Sequence, residues 1–399
     1  MASRYRVESH RRDEFIEWIK GLLAVPFVLH SGVQEDARAR YTEVLIDVEG
    51  LVEHQIEMTK QGTPKLGRLS QLVPSISNFF TKLPLKEAFV IQDERRSISG
   101  RRLVSPSFND IRLILNTAQA LAFTTGETSL KLVTFDGDVT LYEDGCSLTD
   151  PSAEIVQCLI DLLSKNIIVG VVTAAGYNDH NGVKYYERLM ALIDTIRSTD
   201  KLTGEQKENF TVMGGESNYL FRYSNEEQNL KWIEPQEWLL DSMSHWKSQE
   251  IEQVLDLAEE TLNELKAHLQ LPAQIIRKHR AVGLVPVDGK KLCREQLEEV
   301  VLYTKRRLES FPPTKTIKFC AFDGGSDVWI DIASKDLGVS SLQRYFGGIK
   351  PQETLHVGDQ FVSVGSNDFK TRLSGCTAWI ANPEETVLLL QDLIRYMEK

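Results

Sequence analysis

Two aspartates, Asp136 and Asp138, stand two residues apart in the segment Phe135-Asp136-Gly137-Asp138-Val139-Thr140, directly after a short apolar run. Neighbouring carboxylates repel, which favours a cation between them or a raised pKa on one of them. Phosphoryl chemistry uses both outcomes. One carboxylate attacks phosphorus as a nucleophile, while the other protonates the leaving oxygen and then takes a proton from the hydrolytic water. A solvated turn carries the same residue types, so the pair gains weight only from what accompanies it. Thr173 follows the apolar run 166–172, Asp359 follows the run 354–357, and Asp368 lies on the loop beyond. A threonine hydroxyl and neighbouring N–H groups can hold a phosphate oxygen. Hard oxygen ligands at this density suit Mg²⁺, which keeps several waters and takes one or two carboxylates. A cation facing the phosphoryl group is expected from Lys335, with Lys350 and Lys370 as competitors.

Residues so far apart in sequence can meet only if the fold gathers them. In an open parallel sheet the carboxyl ends of the strands line the ligand crevice, so Asp136, Thr173 and Asp359 converge if they end neighbouring strands. The order of a strand at 131–135, a helix at 152–164 and a strand at 166–172 predicts a parallel pair with a crossover. Near-continuous apolarity fits strands buried on both faces. Upstream, residues 11–23 place Phe15, Ile16, Ile19 and Leu22 on one helical face, and 41–58 and 109–123 repeat the pattern. Residues 179–314 hold charged helical stretches (238–269 and 294–307). They also hold a strand pair, 210–213 and 219–223, around Gly214-Gly215-Glu216-Ser217-Asn218. Strand texture returns at 316–322, 328–332, 354–357 and 377–380, before a last helix from Pro383. The expected architecture is α/β. A helical N-terminal domain (1–125) precedes a Rossmannoid core with a parallel sheet (126–178 and 315–399), interrupted by an inserted α+β cap (179–314).

The chain has 399 residues, and 46 Lys and Arg against 57 Asp and Glu give a net charge of −11, which excludes a generally basic nucleic-acid coat. Five scattered cysteines, Cys146, Cys158, Cys293, Cys320 and Cys376, form no metal-binding spacing and read as reduced thiols. The charged N-terminus carries no signal-peptide pattern, and no apolar run approaches the roughly 20 residues that span a bilayer. A cytoplasmic protein is expected, with no membrane or nucleic-acid partner.

Asp136 and Asp138, Thr173, a lysine, then Asp359 and Asp368, in this order, resemble the four motifs of the haloacid dehalogenase-like (HAD) phosphohydrolases. Four segments narrow the resemblance: Arg11-Arg12-Asp13, Phe135 to Tyr142, Met213 to Leu220, and His356-Val-Gly-Asp-Gln-Phe361. Together they are similar to the IMP-specific 5′-nucleotidases of fungi and protozoa. Two positions depart from the superfamily pattern. Val139 stands where glycine is commonest, and Lys335 is followed by Asp336 rather than glycine. The resemblance implies Mg²⁺-dependent hydrolysis of inosine 5′-monophosphate (IMP) to inosine and phosphate through an aspartyl-phosphate on Asp136, with Asp138 as acid and base. It implies metal ligation by Asp136, the Asp138 backbone carbonyl, Asp359 and Asp368, and phosphoryl binding by Thr173 and Lys335. A homotetramer, with ATP as activator of the N-terminal region, is part of the same implication.

For the substrate, Asp144 is expected on the ribose hydroxyls, and Ser217, Asn218 and Arg222 over the nucleoside. The clusters Arg11-Arg12 and Arg95-Arg96 with Arg101-Arg102 are candidates for an anionic effector. Two other readings compete. A phosphomannomutase-like or sugar-phosphate phosphatase needs cap arginines, and Arg222 is the only one between Ser198 and Ile276. A non-catalytic nucleotide sensor has no need of both a nucleophile and an acid.

Overall fold

The computed structural model describes residues 13–30, 34–125, 129–287, 289–361 and 366–398. Its central sheet has seven strands: β1 (Leu132–Phe135), β2 (Ile168–Val172), β3 (Phe210–Gly214), β4 (Tyr219–Ser224), β5 (Asn229–Ile233), β10 (Thr354–Gly358) and β11 (Cys376–Trp379). Their order is β11-β10-β1-β2-β3-β4-β5. The first five in that order run parallel, with Phe135 level with Val357 and with Val171, and β4 and β5 close the edge antiparallel. Every residue of β1, β3 and β10 is buried, which explains their unbroken apolar character.

A second, four-stranded antiparallel sheet stands apart from the first. It holds β6 (Ala273–Arg277), β7 (Ala281–Pro286), β8 (Phe319–Asp323) and β9 (Val328–Ile332), in the order β6-β7-β9-β8. Among the described residues, the long helices are α1 (Glu14–His30), α2 (Gln34–Lys60), α3 (Leu85–Arg96), α4 (Phe108–Thr125), α5 (Glu154–Ser164), α6 (Val183–Ser198), α7 (Ser248–His268), α8 (Arg294–Glu309), α9 (Lys335–Tyr345) and α10 (Pro383–Met397). Helices α7 and α8 cover the second sheet and share with it a core that includes Leu255, Val300, Val282 and Ile330. This is the cap.

The domain division expected from the sequence needs correction. Residues 210–213 and 219–223 belong to the central sheet, where Phe210 pairs with Val169 and Tyr219 with Gly214. Residues 316–322 and 328–332 do not rejoin that sheet. Their strands pair in the cap, Asp331 lying opposite both Ala281 and Cys320. An apolar run records that a strand is buried; it does not record which neighbour it pairs with. The hairpin β6–β7 escaped notice because its turn, Lys278-His279-Arg280, lacks the glycine, asparagine or aspartate that marks most tight turns. The cap therefore occupies roughly the later half of the expected insert and extends beyond it.

The N-terminal helices form no separate core. Phe15, Leu45, Phe89 and Ile111 join Val133 and Phe135 of β1 in one apolar cluster, and α4 packs on both α10 and β11. Asp13 caps α1 by accepting from the Ile16 N–H at 2.9 Å and pairs with Arg372 at 2.6 Å, tying the start of this layer to the C-terminal half.

Buried Asp110, in the first turn of α4, organises the junction between α3 and α4. It accepts hydrogen bonds from Arg96 (2.9 Å), Arg101 (2.6 Å) and both the N–H and hydroxyl of Ser107 (2.8 Å each). Burial alone would raise its carboxyl, but the bonds from Arg101, Ser107 and Arg96 outweigh that and hold it well below the usual carboxylate range. A depressed carboxyl contributes stability that is full above its unfolded pKa of about 3.9 and is lost as pH falls through the folded value. Asp110→Asn is expected to cost about 2–3 kcal/mol at pH 7, the scale of hydrogen bonds to a charged group. The deficit should shrink as pH drops below about 4. Urea unfolding of both proteins at pH 7 and pH 3 checks this, and an equal deficit at both values would contradict it.

Candidate active site

Strands β10, β1 and β2 are adjacent, so Asp359, Asp136 and Thr173 emerge side by side at their carboxyl ends. Lys335, the first residue of α9, reaches them from the segment returning from the cap. Its ammonium lies 2.7 Å from Asp136 Oδ2 and 2.7 Å from Asp368 Oδ1, and its side chain is fully buried. Lys370 is committed elsewhere, donating to the Phe319 carbonyl, and the Lys350 backbone N–H is bonded to Glu353. Of the three lysines weighed from the sequence, Lys335 is the one that spans the carboxylates.

A relay of hydrogen bonds fixes Asp368. Its Oδ2 accepts from the Gln360 N–H at 3.0 Å, and its Oδ1 meets His356 Nε2 at 3.1 Å. Thr134 Oγ1 lies 2.9 Å from His356 Nδ1. A carboxylate can only accept, so Nε2–H donates to Asp368 and the neutral ring accepts from Thr134 at Nδ1. Burial pushes the imidazole down, opposed by the bond to Asp368, which agrees with a neutral ring. A β-carbon on Gly358 would sit 2.3 Å from Asp368 Oδ2, so glycine is required for this approach.

The electrostatics are dominated by crowded carboxylates. Burial raises Asp136 to about 7; Lys335 opposes the rise and Asp368 adds to it. Burial raises Asp359 to about 8, with Asp136 and Asp368 adding. Burial also raises Glu216 to about 8, countered by Lys335. For Lys335 itself, burial favours the neutral amine, but Asp136, Asp368 and Glu216 reverse this and keep it protonated. One buried cation thus faces four carboxylates. Oxygen atoms of Asp136, Asp359 and Asp368 all lie within 4.8 Å of one another. Hard donors, close spacing and uncompensated negative charge are what a divalent cation requires, so this cluster is a potential metal site.

Asp138 occupies the more open side. It accepts from the Gly145 N–H at 3.0 Å and lies 3.6 Å from Arg188 Nη1. The intervening Val139 has φ 61°, a left-handed conformation that is unfavourable for a β-branched residue and explains why glycine suits this position. Thr173 accepts from the Ala175 N–H at 3.1 Å. Asp136, Asp138, Asp144, Thr173 and Asp359 all line one cavity of about 390 Å³ between the core and the cap.

Three expected substrate contacts do not reach that cavity. Ser217 is buried and donates to the Ser334 carbonyl at 2.8 Å. Asn218 donates to the carbonyls of Gly215 (2.6 Å) and Ile332 (2.7 Å). Arg222 donates to the Glu208 carbonyl at 2.6 Å and lies over the rings of Tyr345 and Phe346. These residues sit on β4 and the turn before it, inside the central sheet, so they cannot form the cap face assigned to them. Three of the candidate effector arginines are also engaged, Arg95 with Asp392, and Arg96 and Arg101 with Asp110, while Arg102 is exposed. Arg11 and Arg12 lie outside the described residues.

The cap wall comes instead from residues the sequence reading passed over. Lys278, Arg280, Asp327, Trp329 and Asp331 face the cavity, joined from the core by Arg188 and Tyr177. Trp329 lies flat across Gly283, where a β-carbon would come within 2.7 Å of the ring, and Lys278 Nζ stands 4.0 Å from the Trp329 ring centroid. One signal was present in the sequence: Trp329 and Asp331 alternate within an apolar run, which places both on one face of a strand.

Comparison with known proteins agrees with this geometry. The family model described as IMP-specific 5′-nucleotidase matches residues 1–390. The IMP-specific 5′-nucleotidase 1 of Yarrowia lipolytica is 53% identical, covering 100% of this chain and 98% of its own length. That of Saccharomyces cerevisiae is 49% identical, with 99% of each covered. Among solved structures, an IMP-bound mutant of Plasmodium falciparum IMP-nucleotidase superposes with a TM-score of 0.85 at 33% identity, covering 96% of this chain and 94% of that one. The ATP-bound form of the same protein gives a TM-score of 0.83 at 33% identity, covering 99% and 88%. With the match running through the N-terminal helices, the central sheet and the cap alike, the chain belongs to the IMP-specific 5′-nucleotidase family.

Proposed function

We propose that this chain hydrolyses IMP to inosine and phosphate at the Asp136 site, with Mg²⁺ as its cation and a HAD-like core. The observation that carries the reading is the meeting of Asp136, Lys335, Asp359 and Asp368, drawn from separate elements, beneath a cap wall that holds Lys278, Arg280 and Trp329. Asp136 is the nucleophile. The Gly137 N–H holds its Oδ1 at 2.7 Å and Lys335 holds Oδ2, which orients the carboxylate for in-line attack on phosphorus. The new bond joins Asp136 to the phosphoryl group as the ribose oxygen leaves. Asp138, on the open side, gives that oxygen a proton and then takes one from the water that cleaves the aspartyl-phosphate. Thr173 and Lys335 hold the phosphoryl oxygens. Asp136, Asp359, Asp368 and the Asp138 carbonyl would hold Mg²⁺, which when bound supplies positive charge against those oxygens.

Asp144 is assigned to the ribose, and the aromatic side chains lining the same cavity, Tyr177, Tyr219 and Trp329, to the purine ring. ATP binding is supported by the ATP-bound relative and by a second cavity of about 430 Å³, where Phe79, Phe369 and Trp379 present aromatic faces beside Arg372. Assembly as a homotetramer in the cytoplasm completes the reading.

A sugar-phosphate substrate draws support from Lys278 and Arg280, because both line the cavity and lie beyond the segment whose arginines were counted against it. The carboxylates of Asp331 and Asp327 act on Lys278, however, so the wall is mixed in charge rather than a second phosphate grip.

Phosphate release from IMP, AMP, GMP and mannose 1-phosphate separates these readings. IMP is expected to be strongly preferred, and preference for the sugar phosphate would overturn the substrate assignment. Asp136→Asn should lower turnover on IMP by at least about 10⁴-fold, the scale lost with an essential group. Its circular-dichroism spectrum should remain that of the wild type, because Asp368 still pairs with Lys335. Near-normal turnover in that variant would dismiss Asp136 as nucleophile. Asp359→Asn should raise the Mg²⁺ concentration for half-maximal activity by roughly 10–100-fold. It should also weaken the thermal stabilisation that Mg²⁺ gives, and an unchanged Mg²⁺ titration would remove Asp359 from the metal site.

A further inference from the structure

The turn Gly214–Asn218 between β3 and β4 carries more contacts to the site than a hairpin needs. Gly215, Glu216 and Ser217 take φ values of 60°, 51° and 79° in succession, so two residues with side chains sit in the left-handed region. Such conformations persist only where surrounding contacts enforce them. Here the contacts go to three different loops. Toward Thr173, the Gly215 N–H donates to the Ala175 carbonyl at 3.0 Å and the Glu216 N–H to the Thr173 carbonyl at 3.2 Å. Toward Asp368, the Glu216 carboxylate accepts from Asn367 at 3.0 Å. Toward Lys335, Asn218 donates to Ile332 and Ser217 to Ser334, gripping the backbone on either side of Ala333. Ala333 is itself left-handed, with φ 75°. It is the bend by which the chain leaves the cap strand β9 and enters α9, whose first residue is Lys335. The first turn of α9 sits directly on Ser217: a β-carbon on Gly338 would come within 2.3 Å of the Ser217 hydroxyl.

We infer that Ser217 and Asn218 are positioning residues for Lys335, holding the cap-to-core bend so that the ammonium stands where it grips the phosphoryl group. The inference rests on the phosphohydrolase reading of the site. Neither side chain lines the cavity, and the bonds that both make to the cap-to-core bend lead to Lys335. The turn links the chain leaving the cap, the Thr173 loop and the Asp368 loop, and a shift of any one is resisted by the other two.

A contact with the nucleoside and a hold on Lys335 make opposite demands on binding. In the presence of Mg²⁺, inorganic phosphate and, separately, inosine are titrated calorimetrically into the full-length wild type and Asn218→Ala. The phosphate Kd is expected to rise about tenfold or more, with kcat on IMP falling about 10–100-fold, because a displacement near 1 Å can cost that much. The inosine Kd should stay within about twofold, since nothing that faces the nucleoside has changed. Loss of folded protein alters binding capacity but not these constants, so a merely structural role leaves the phosphate Kd unmoved. An unchanged phosphate Kd, or a rise for inosine with phosphate unaffected, overturns the inference while the hydrolase reading stands. A wild type that neither binds phosphate nor releases it from IMP defeats the hydrolase reading and the inference with it. Should Asn218→Ala fail to fold, Ser217→Ala, which loses one hydrogen bond, carries the same comparison.

Discussion

A single buried ammonium holds the functional end of this molecule together. Lys335 is removed from water, which would discharge an isolated lysine, and it stays charged because Asp136 and Asp368 each stand 2.7 Å away. Breaking a buried pair of this kind by removing one partner typically costs about 3–5 kcal/mol, because the remaining charge is left uncompensated. The three groups come from the end of β1, the start of α9 and the loop after β10. The pairing therefore fastens the return from the cap to the central sheet. It also sets a charge imbalance. Asp359 and Glu216 press on the same region without a cation of their own, and their carboxyls are pushed up to about 8. A site so arranged is poised for a further cation and for an anionic phosphoryl group together. In the proposed reading a divalent ion would relieve the carboxylates and leave the ammonium for the phosphate.

The chemistry was more legible in the sequence than the architecture around it. Asp136, Thr173 and Asp359 were readable because parallel strands buried on both faces must be apolar, so the first polar residue after each run marks a strand end. That rule does not depend on knowing the strand order, and β10-β1-β2 supplied it. Lys335 was readable only by its place between motifs; its full burial and its two partners follow from tertiary packing. The cap boundaries failed for a related reason. Strand β3, with Phe210, Val212 and Met213 fully buried, and strand β9, with Val328, Ile330 and Ile332 fully buried, look alike in sequence. One pairs with β2 and the other with β7. Misplacing β3 and β4 moved Ser217, Asn218 and Arg222 from the central sheet to the cap, and their assignment to the nucleoside followed from that error.

The same displacement concealed the true cap wall. Lys278 and Arg280 flank the short β6–β7 turn, and Trp329 and Asp331 are alternate residues of β9. Period-two alternation puts Trp329 and Asp331 on one face of β9, and their register with Gly283 and Ala281 sets that face beside the turn. A charged residue as deeply buried as Asp331 is expensive unless something answers it. Burial raises its carboxyl well above the ordinary range, Glu216 adds to the rise, and Lys278 opposes it. The cap thus contributes an aromatic plane with mixed polar groups, while the core contributes the charged grip. On the proposed reading, recognition of the nucleoside and activation of the phosphate are divided between two sheets.

That division makes the joint between the sheets part of the chemistry. The cap hangs from the core by the chain entering α7 and by the bend at Ala333, and only the second leads straight into a residue at the reacting group. Any tilt of the cap sheet is felt first at Ile332 and Ser334, which flank Ala333 and stand just before Lys335, unless those carbonyls are held. Ser217 and Asn218 hold them, from a turn whose own strained backbone is fixed by the Thr173 loop. Strain of this kind is retained where relaxing it would move something that must not move. A loosened bend would leave the aspartates in place on their strand ends yet separate them from the cation that makes the phosphoryl group attackable. The position of Lys335 thus depends on its two carboxylate partners and also on contacts made by Ser217 and Asn218, which do not line the cavity.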